Sequence, residues 1–596
     1  MKHLELLAPA RNADIGIAAI DCGADAVYIA GPDFGARKDA GNSIEEIARL
    51  CAYAHKFGCR IFVTFNILLR EGEMDEVHRQ MLAAQEAGAD AFIIRDPRIA
   101  QWEDIRVPLH ASTQCSIRTV GRARLFAQAG CSRLVLEREL PLSTVREIAA
   151  AVDCEIECFI HGALCVCYSG QCTMSEAISG IERSADRGAC IQACRGLYDL
   201  VDGEGRMLVR NKALLSLRDL NLSERLADLV AAGVTSFKIE GRLKNASFVR
   251  NTVREYSLRL DGFVERSGGE YARASFGKVE GGFEPDLSKT FNRGFTELYI
   301  DGRRGKWASL DAPKSMGERL GAVSRVRPVA GGIEITVPGA SNLRNGDGFA
   351  FVLEGEIVGF RGDVCEGNRI ICKPVRGLKA GVELWRNISV DFEKSLEANP
   401  CRRFVGVGLA VAATGSSISV SATAEDGRIA TVSLEGCDAA RDLERAATLI
   451  SGQLSKHAEH YSFGVTALDS SDGLPHLSAA ALNGLRRELA SQLDAQAVHA
   501  IPMATSAGGH TVAPEALSTG RRPGELMRSK YCIRYELGIC PVHQQDSRQG
   551  LSRDAERPAA LRGVRPSDSL CLVNNGRRFP LLFDCKACEM AVLEGA

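Results

Sequence analysis

Leu4-Glu-Leu-Leu7, Gly23-Ala-Asp-Ala-Val-Tyr-Ile-Ala30 and Ile61-Phe-Val-Thr-Phe-Asn66 set the pattern of the chain: short apolar runs separated by amphipathic stretches such as 44–57 and 73–87. A nearly continuous apolar run reads as a strand covered on both faces, which is the signature of parallel β/α units. Five more runs follow, at 91–95, 109–112, 133–137, 156–160 and 236–239, so eight strands precede residue 240. Eight such units fit a closed α/β fold, a (β/α)8 TIM-like barrel, better than an open doubly wound sheet. Two spacings are irregular. The fourth and fifth runs are close together, and about 75 residues separate the seventh from the eighth. An insertion after a barrel strand lies on the face where such barrels keep their active sites.

The texture changes after the barrel. Residues 317–386 carry Gly-rich alternating stretches such as Ile333-Glu-Ile-Thr-Val337, which read as a small antiparallel barrel or sandwich. Strand patterns at 404–421 and 429–434 precede helical ones at 439–459 and 478–495. The expected division is a barrel over 1–268 with a Cys-rich insert at 162–196, a β-rich module over 269–390, an α+β module over 391–504, and a Cys-rich metal-knuckle tail over 505–596.

The 596 residues are 45% apolar and 25% charged with a formal charge of −2, which excludes a disordered chain and a whole-surface attraction to nucleic acid. No apolar run is long enough to span a membrane, and Glu5 and Pro9 interrupt the only early one, so a cytoplasmic protein without membrane contact is expected. Cysteine stands out. Of 21, seven lie between Cys154 and Cys194 and five between Cys532 and Cys588. In a reducing compartment such clusters are buried packing residues, metal ligands or catalytic thiols.

Within the first cluster, Cys165, Cys172, Cys190 and Cys194 sit on Gly-rich stretches separated by a few residues, a set able to bring four thiolates to one volume. Iron–sulfur, zinc and plain packing all remain open on spacing alone. Polar residues at the ends of the barrel strands should line the pocket: Asn66, Asp96, His110, Gln114, Arg138, Glu139, His161, Glu240 and Arg242. His161, Glu240 and Glu139 are the candidates for moving protons. Arg183, Arg187 and Arg195 flank the cysteines and could grip a dicarboxylate or RNA phosphate, with His110, Gln114 and Arg242 completing the substrate site. In the tail, Cys532 and Cys540 with Cys585 and Cys588 have the look of two zinc-ribbon knuckles. The arginines and lysine around them, from Arg521, Arg522, Arg528 and Lys530 to Arg548, Arg553, Arg557, Arg562, Arg565, Arg577 and Arg578, form the one basic-rich region, and RNA contact is expected there.

Glu157-Cys-Phe-Ile-His161, Gly162-Ala-Leu-Cys165, Gly170-Gln-Cys172 and Ser175 resemble, at the same spacing, the signature of the collagenase-like peptidase family U32. The likeness runs along the barrel through Leu7-Ala-Pro-Ala10, Gly35-Ala-Arg37, His110-Ala-Ser-Thr-Gln114, Leu136-Glu-Arg-Glu-Leu140 and Phe237-Lys-Ile-Glu-Gly-Arg-Leu-Lys244. The tail motif Lys530-Tyr-Cys532 to Cys540-Pro541 with Phe583-Asp-Cys-Lys-Ala-Cys588 looks like the long subfamily, which includes bacterial enzymes that make hydroxycytidine in ribosomal RNA. The resemblance implies an oxygen-independent RNA base hydroxylase carrying a 4Fe–4S cluster, with prephenate as a small-molecule hydroxyl donor. Two positions depart from the pattern: Asp186 stands where many members have an amide, and the turn Arg218-Asp-Leu-Asn221 lacks a cysteine that some relatives use.

The family's name makes a peptidase the alternative. The chain has neither a His-Glu-x-x-His helix nor a Gly-x-Ser-x-Gly elbow, which leaves Cys165 with His161 as the conceivable nucleophile and base. A non-catalytic RNA-binding protein with structural metals is the third reading.

Overall fold

The order of elements through the first 266 residues is β1 (Lys2–Pro9), α1 (Ala13–Asp21), β2 (Ala26–Ala30), α2 (Ile44–Ala54), β3 (Arg60–Phe65), α3 (Met74–Glu86), β4 (Ala91–Ile94), β5 (Leu109–Ala111), α4 (Val120–Gln128), β6 (Arg133–Val135), α5 (Leu142–Ala149), β7 (Glu155–Gly162), α6 (Met174–Ser179), β8 (Tyr198–Asp202), β9 (Met207–Lys212), β10 (Asp219–Asn221), α7 (Leu226–Ala231), β11 (Ser236–Ile239) and α8 (Ala246–Arg266). The structure is a computed structural model and describes residues 1–37, 41–311, 314–354, 356–505, 522–543, 546, 559–561, 564–565 and 567–595. Strands β1 to β7 pair in parallel in chain order, and β11 pairs in parallel with both β7 and β1. Eight strands therefore close into the expected barrel. Every residue of β2, β3 and β4 is buried, as the continuous apolar runs require. Helix starts are signalled locally: the side chains of Asn12, Ser43 and Asn245 accept the first free backbone N–H groups of α1, α2 and α8, each worth about 1 kcal/mol. The short spacing between β4 and β5 is filled by a single 3-10 turn at Pro97–Gln101 instead of a helix.

Beneath the mouth the barrel interior is ionic. Arg133 donates to Glu5 and Glu157, and Lys238 donates to Glu157 at 2.6 Å. Each buried charge is matched, and breaking one such pair costs about 3–5 kcal/mol.

The β-rich module holds two four-stranded antiparallel sheets around its own core of Leu320, Ile335, Val337, Phe349, Phe351, Ile370 and Leu384. The α+β module builds a sheet on Cys401–Thr414, flanked by Ser417–Ala424 and Tyr461–Asp472, with the helices Leu443–Leu454 and Ala479–Asp494. The tail does not stand apart. Leu570–Asn574 pairs antiparallel with β8, so Glu525–Ser529, Glu589–Leu593, Arg577–Asp584, Leu570–Asn574, β8 and β9 form one six-stranded sheet. Among the described residues no helix is long and apolar enough to cross a membrane.

Candidate active site

Two glycines explain how the insertion folds over the barrel. Gly162 has φ +106°, and a Cβ there would stand 2.3 Å from the Glu240 carbonyl oxygen; Gly170 has φ +71°, with its would-be Cβ 2.2 Å from the Gln114 carbonyl oxygen. Only glycine allows this conformation and this approach. The chain thus crosses the barrel mouth at Gly162 and lies on the β5 end at Gly170, carrying Cys165 and Cys172 to the rim of the mouth cavity. Cys190 and Cys194 arrive on and beside the short 3-10 turns that follow α6. All four sulfurs line one cavity of about 260 Å³ at the C-terminal ends of the strands. Cys165 and Cys190 are exposed at the cavity mouth, and burial pushes the half-buried Cys194 thiol up to about 11.

The donor set fits a cluster. Among the described residues no three His, Cys, Asp or Glu side chains stand close enough to share one ion, yet these four thiols surround one volume. Four thiolates around a volume suit a polynuclear iron–sulfur group, whereas a single zinc ion needs its ligands at one point. Cys158 and Cys167 are buried, and Cys154 donates to the Cys131 carbonyl, so these three pack in the surrounding structure.

Seven cations, Arg37, Arg138, Arg195, Lys238, Arg242, Lys244 and Arg293, line the cavity against two carboxylates, Asp186 and Glu240. Glu157 matches Lys238 and Asp219 matches Arg293 from behind the wall, and the excess that remains draws an anion. Glu240 accepts from Arg138 at 3.2 Å and faces Arg37 at 4.0 Å. Burial would raise its carboxyl, but the guanidiniums of Arg37, Arg138 and Arg242 outweigh burial and hold it below the usual range. Glu240 is therefore ionised near neutral pH. Lys244 is pushed down to about 8, by burial first and then by Arg293. Phe159, under the Arg138 guanidinium at 3.8 Å, and Tyr28 supply aromatic walls.

The structure brings Gln114, Arg195, Glu240 and Arg242 to this cavity with the four cysteines. Arg195 is partly occupied, donating to the Leu164 carbonyl at 2.7 Å and the Ser216 hydroxyl at 2.8 Å, and Arg242 donates to Thr64 at 2.8 Å. His161 is placed elsewhere. The pairing of β7 with β11 shifts between Phe159 and His161, so strict alternation breaks at Ile160 and the imidazole turns outward among Phe248, Tyr256 and Phe295. Burial pushes it down to about 3. His110 lies deeper in the barrel, edge-on to Phe62. Glu139 is buried away from the cavity, and burial plus the nearby Glu137 push its carboxyl well above the usual range. Arg183 is exposed outside the cavity; Arg187 is committed to both oxygens of Glu73, at 2.6 and 2.9 Å, and to the Leu68 carbonyl.

Sequence reasoning did not single out Arg37, Lys238, Lys244 or Arg293 as site residues. The first three sit inside motifs that carry the family resemblance, so a search for cations within those motifs would have found them. Arg293 comes from beyond the barrel, held by Asp219 at 3.1 Å, and no local pattern marks it.

In the tail, Cys532, Cys540, Cys585 and Cys588 line a second cavity, of about 20 Å³, with His543. The His543 backbone N–H donates to Cys540 sulfur, and its Nε2 lies 3.5 Å from Cys588 sulfur. The expected RNA-binding cations fare differently. Arg528 is held between Glu525 and Glu589, Lys530 donates to the Ala587 carbonyl, and Arg577 donates to the Ala177 and Ile178 carbonyls. Arg521, Arg548, Arg553, Arg557 and Arg562 lie outside the described residues.

Residues 11–309 match the model of Peptidase family U32. The 23S rRNA 5-hydroxycytidine C2501 synthase of Escherichia coli (strain K12) is 35% identical over 99% of this chain and 94% of its own length. The tRNA hydroxylation protein P1 of Bacillus subtilis (strain 168) is 37% identical over 44% of this chain and 64% of its own. A protein named collagenase, from Porphyromonas gingivalis (strain ATCC BAA-308 / W83), is 30% identical over 52% of this chain and 76% of its own. With the family match over the barrel and the likeness along nearly its whole length, the chain belongs to Peptidase family U32.

Proposed function

We propose that this chain is a cytoplasmic, oxygen-independent RNA base hydroxylase, acting on cytidine in ribosomal RNA, with a 4Fe–4S cluster held by Cys165, Cys172, Cys190 and Cys194. The observation that carries this reading is the single cavity in which four cysteines, seven cations and one carboxylate kept ionised face each other. Likeness along the full chain to an rRNA hydroxycytidine synthase supports the substrate class. When bound, the cluster supplies electron-transfer and Lewis-acid chemistry. The chain's own residues do the rest. Glu240, ionised and oriented by Arg138, accepts a proton at the reacting centre. Arg195, Lys244 and Arg293, on one side of the cavity, bind the carboxylates of a small anionic hydroxyl donor, a dicarboxylate such as prephenate. Tyr28 and Phe159 hold a flat ring and exclude water. The tail cysteines, whose cavity is too small for a cluster and whose soft donors suit zinc, stand apart here and would have to draw together to take up one zinc ion.

The peptidase reading has less support. Its base would be His161, and that ring faces Tyr256 and Phe248 outside the cavity. Anaerobically purified protein should absorb at about 400 nm with about four irons per chain. Nucleosides of ribosomal RNA from a deletion strain should lack one hydroxylated cytidine, restored by the wild-type chain. Unchanged RNA nucleosides together with cleavage of a collagen peptide would overturn the reading in favour of the peptidase.

A further inference from the structure

A groove of about 1260 Å³ runs beside the cysteine cavity, and Arg293 lines both. One wall is the β9 end of the insertion hairpin, with Arg210 and Lys212; the other is the strand Glu383–Ile388 of the β-rich module, with Trp385. Three features give this space a chemistry. Lys212 and Arg319 are matched by Asp311 and Glu383, whereas Arg210 and Arg218 form no ion pair among the described residues. Arg210 and Arg218 thus face the groove without a salt bridge, Arg218 in the field of the buried Glu536. Trp385 is half-buried but belongs to neither hydrophobic core: its neighbour Leu384 turns into the core of the β-rich module, and the indole turns to the groove. Finally, the groove opens toward the cavity at a guanidinium, that of Arg293, which Asp219 holds in place.

We propose that this groove is the track for a single-stranded segment of the RNA substrate, with backbone phosphates on Arg210 and Arg218, one base stacked on Trp385, and the reacting base turned past Arg293 into the cavity. This rests on the hydroxylase reading above and says where and in what form the RNA binds. A base cannot be modified while stacked in a duplex, so the enzyme must receive it from a single strand or extrude it. Single strands are held sequence-tolerantly by a basic groove with an aromatic platform. It also assigns a role to the β-rich module, which carries its own hydrophobic core.

The full chain is titrated with a cytidine-rich single-stranded RNA of about twelve nucleotides, a length within the usual site sizes. Of the three tryptophans, Trp307 is buried and the half-buried Trp102 lies outside the groove, so quenching that Trp385→Phe removes is assigned to Trp385. Wild type should bind with quenching and prefer the single strand to its duplex. Trp385→Phe should lose the quenching, and Trp385→Ala should weaken binding by about tenfold. The double variant Arg210→Gln, Arg218→Gln should bind more weakly, with a log–log salt slope reduced by about 0.7 per lost contact. Iron content and circular dichroism establish that each variant is folded. If wild type binds RNA while the variants keep its affinity, slope and quenching, the track is wrong and the hydroxylase reading stands. If wild type binds no RNA and cellular RNA is unmodified, both fall. Should a polyglutamate peptide bind as tightly as RNA and lose affinity in the same variants, the groove is a protein-docking surface and the proposal is overturned.

Discussion

The barrel cysteines and the tail cysteines are the same donors in the same number, yet they surround spaces of about 260 Å³ and about 20 Å³. In the barrel the four sulfurs sit on loops across an open mouth, with seven cations on the same cavity wall, several of them fixed in place by partners behind it. In the tail they sit at a short helix and a strand turn, and the nearby Arg528 and Lys530 are spent on carboxylates and a carbonyl of the same module. Ligand type alone does not separate a reactive centre from a staple. The volume enclosed and the number of cations that line it differ.

The two regions also touch. The backbone N–H of Tyr168 donates to the Arg528 carbonyl and that of Thr173 to the Leu526 carbonyl, at 3.0 and 2.8 Å, and the Tyr168 hydroxyl donates to Glu589. The tail sheet therefore backs the loop that carries Cys172.

The strongest way to break the comparison is to remove a sulfur from the larger site. Cys165→Ala, Cys172→Ala, Cys190→Ala and Cys194→Ala should each lose iron and turnover altogether while keeping tail zinc, whereas Cys158→Ala should keep iron. Full iron in Cys194→Ala would remove it from the set. Next in size is Glu240→Gln, which should cost about 10²–10⁴-fold in turnover, as expected for a lost proton acceptor, with iron intact. Because arginines outweigh burial and depress the Glu240 carboxyl, it stays ionised until pH falls below the usual carboxylate range, so the wild-type acid limb should lie lower than that of an ordinary glutamate.

Lys244 sharpens the contrast in lining charge. Its ammonium, pushed down to about 8, loses its proton as pH rises through that value. KM for the anionic donor should rise above about pH 8 in wild type. Lys244→Met should raise KM about tenfold at neutral pH, the scale of one lost charged hydrogen bond, and should flatten that rise. A pH-independent KM in the wild type would rule out Lys244 as an anion contact. The smallest effect is expected for Cys588→Ser in the tail. Zinc should be lost and amide exchange should quicken across Glu525–Ser529 and Glu589–Leu593, because metal binding and folding are linked. Through the Tyr168 and Thr173 contacts, barrel iron should fall only a few-fold at most. Complete loss of barrel iron would make the tail part of the active site.

Much of the barrel and of its cysteine site is legible in the amino-acid sequence. The barrel strands announce themselves because a strand buried on both faces must be apolar at nearly every position, and that needs no knowledge of its neighbours. The cysteine sets are legible because ligand donors recur at short spacings. His161 misleads for a local reason. Alternation from Glu157 and Phe159 points the ring inward, and one shifted residue reverses it.

What the sequence by itself determined is therefore what depends on near neighbours along the chain: eight strands, their helix caps, the glycine turns at Gly162 and Gly170, and the two groups of cysteines. Tertiary structure alone decided which way His161 faces, that Arg293 reaches the cavity, that Arg187 is spent on Glu73, and that Cys571 in the tail pairs with Val201 in the barrel insertion. These pairings join residues far apart in the chain, and a side chain's commitment depends on partners that arrive only when the whole molecule closes. Local pattern fixes what a residue can do; the packed neighbours decide whether it remains free to do it.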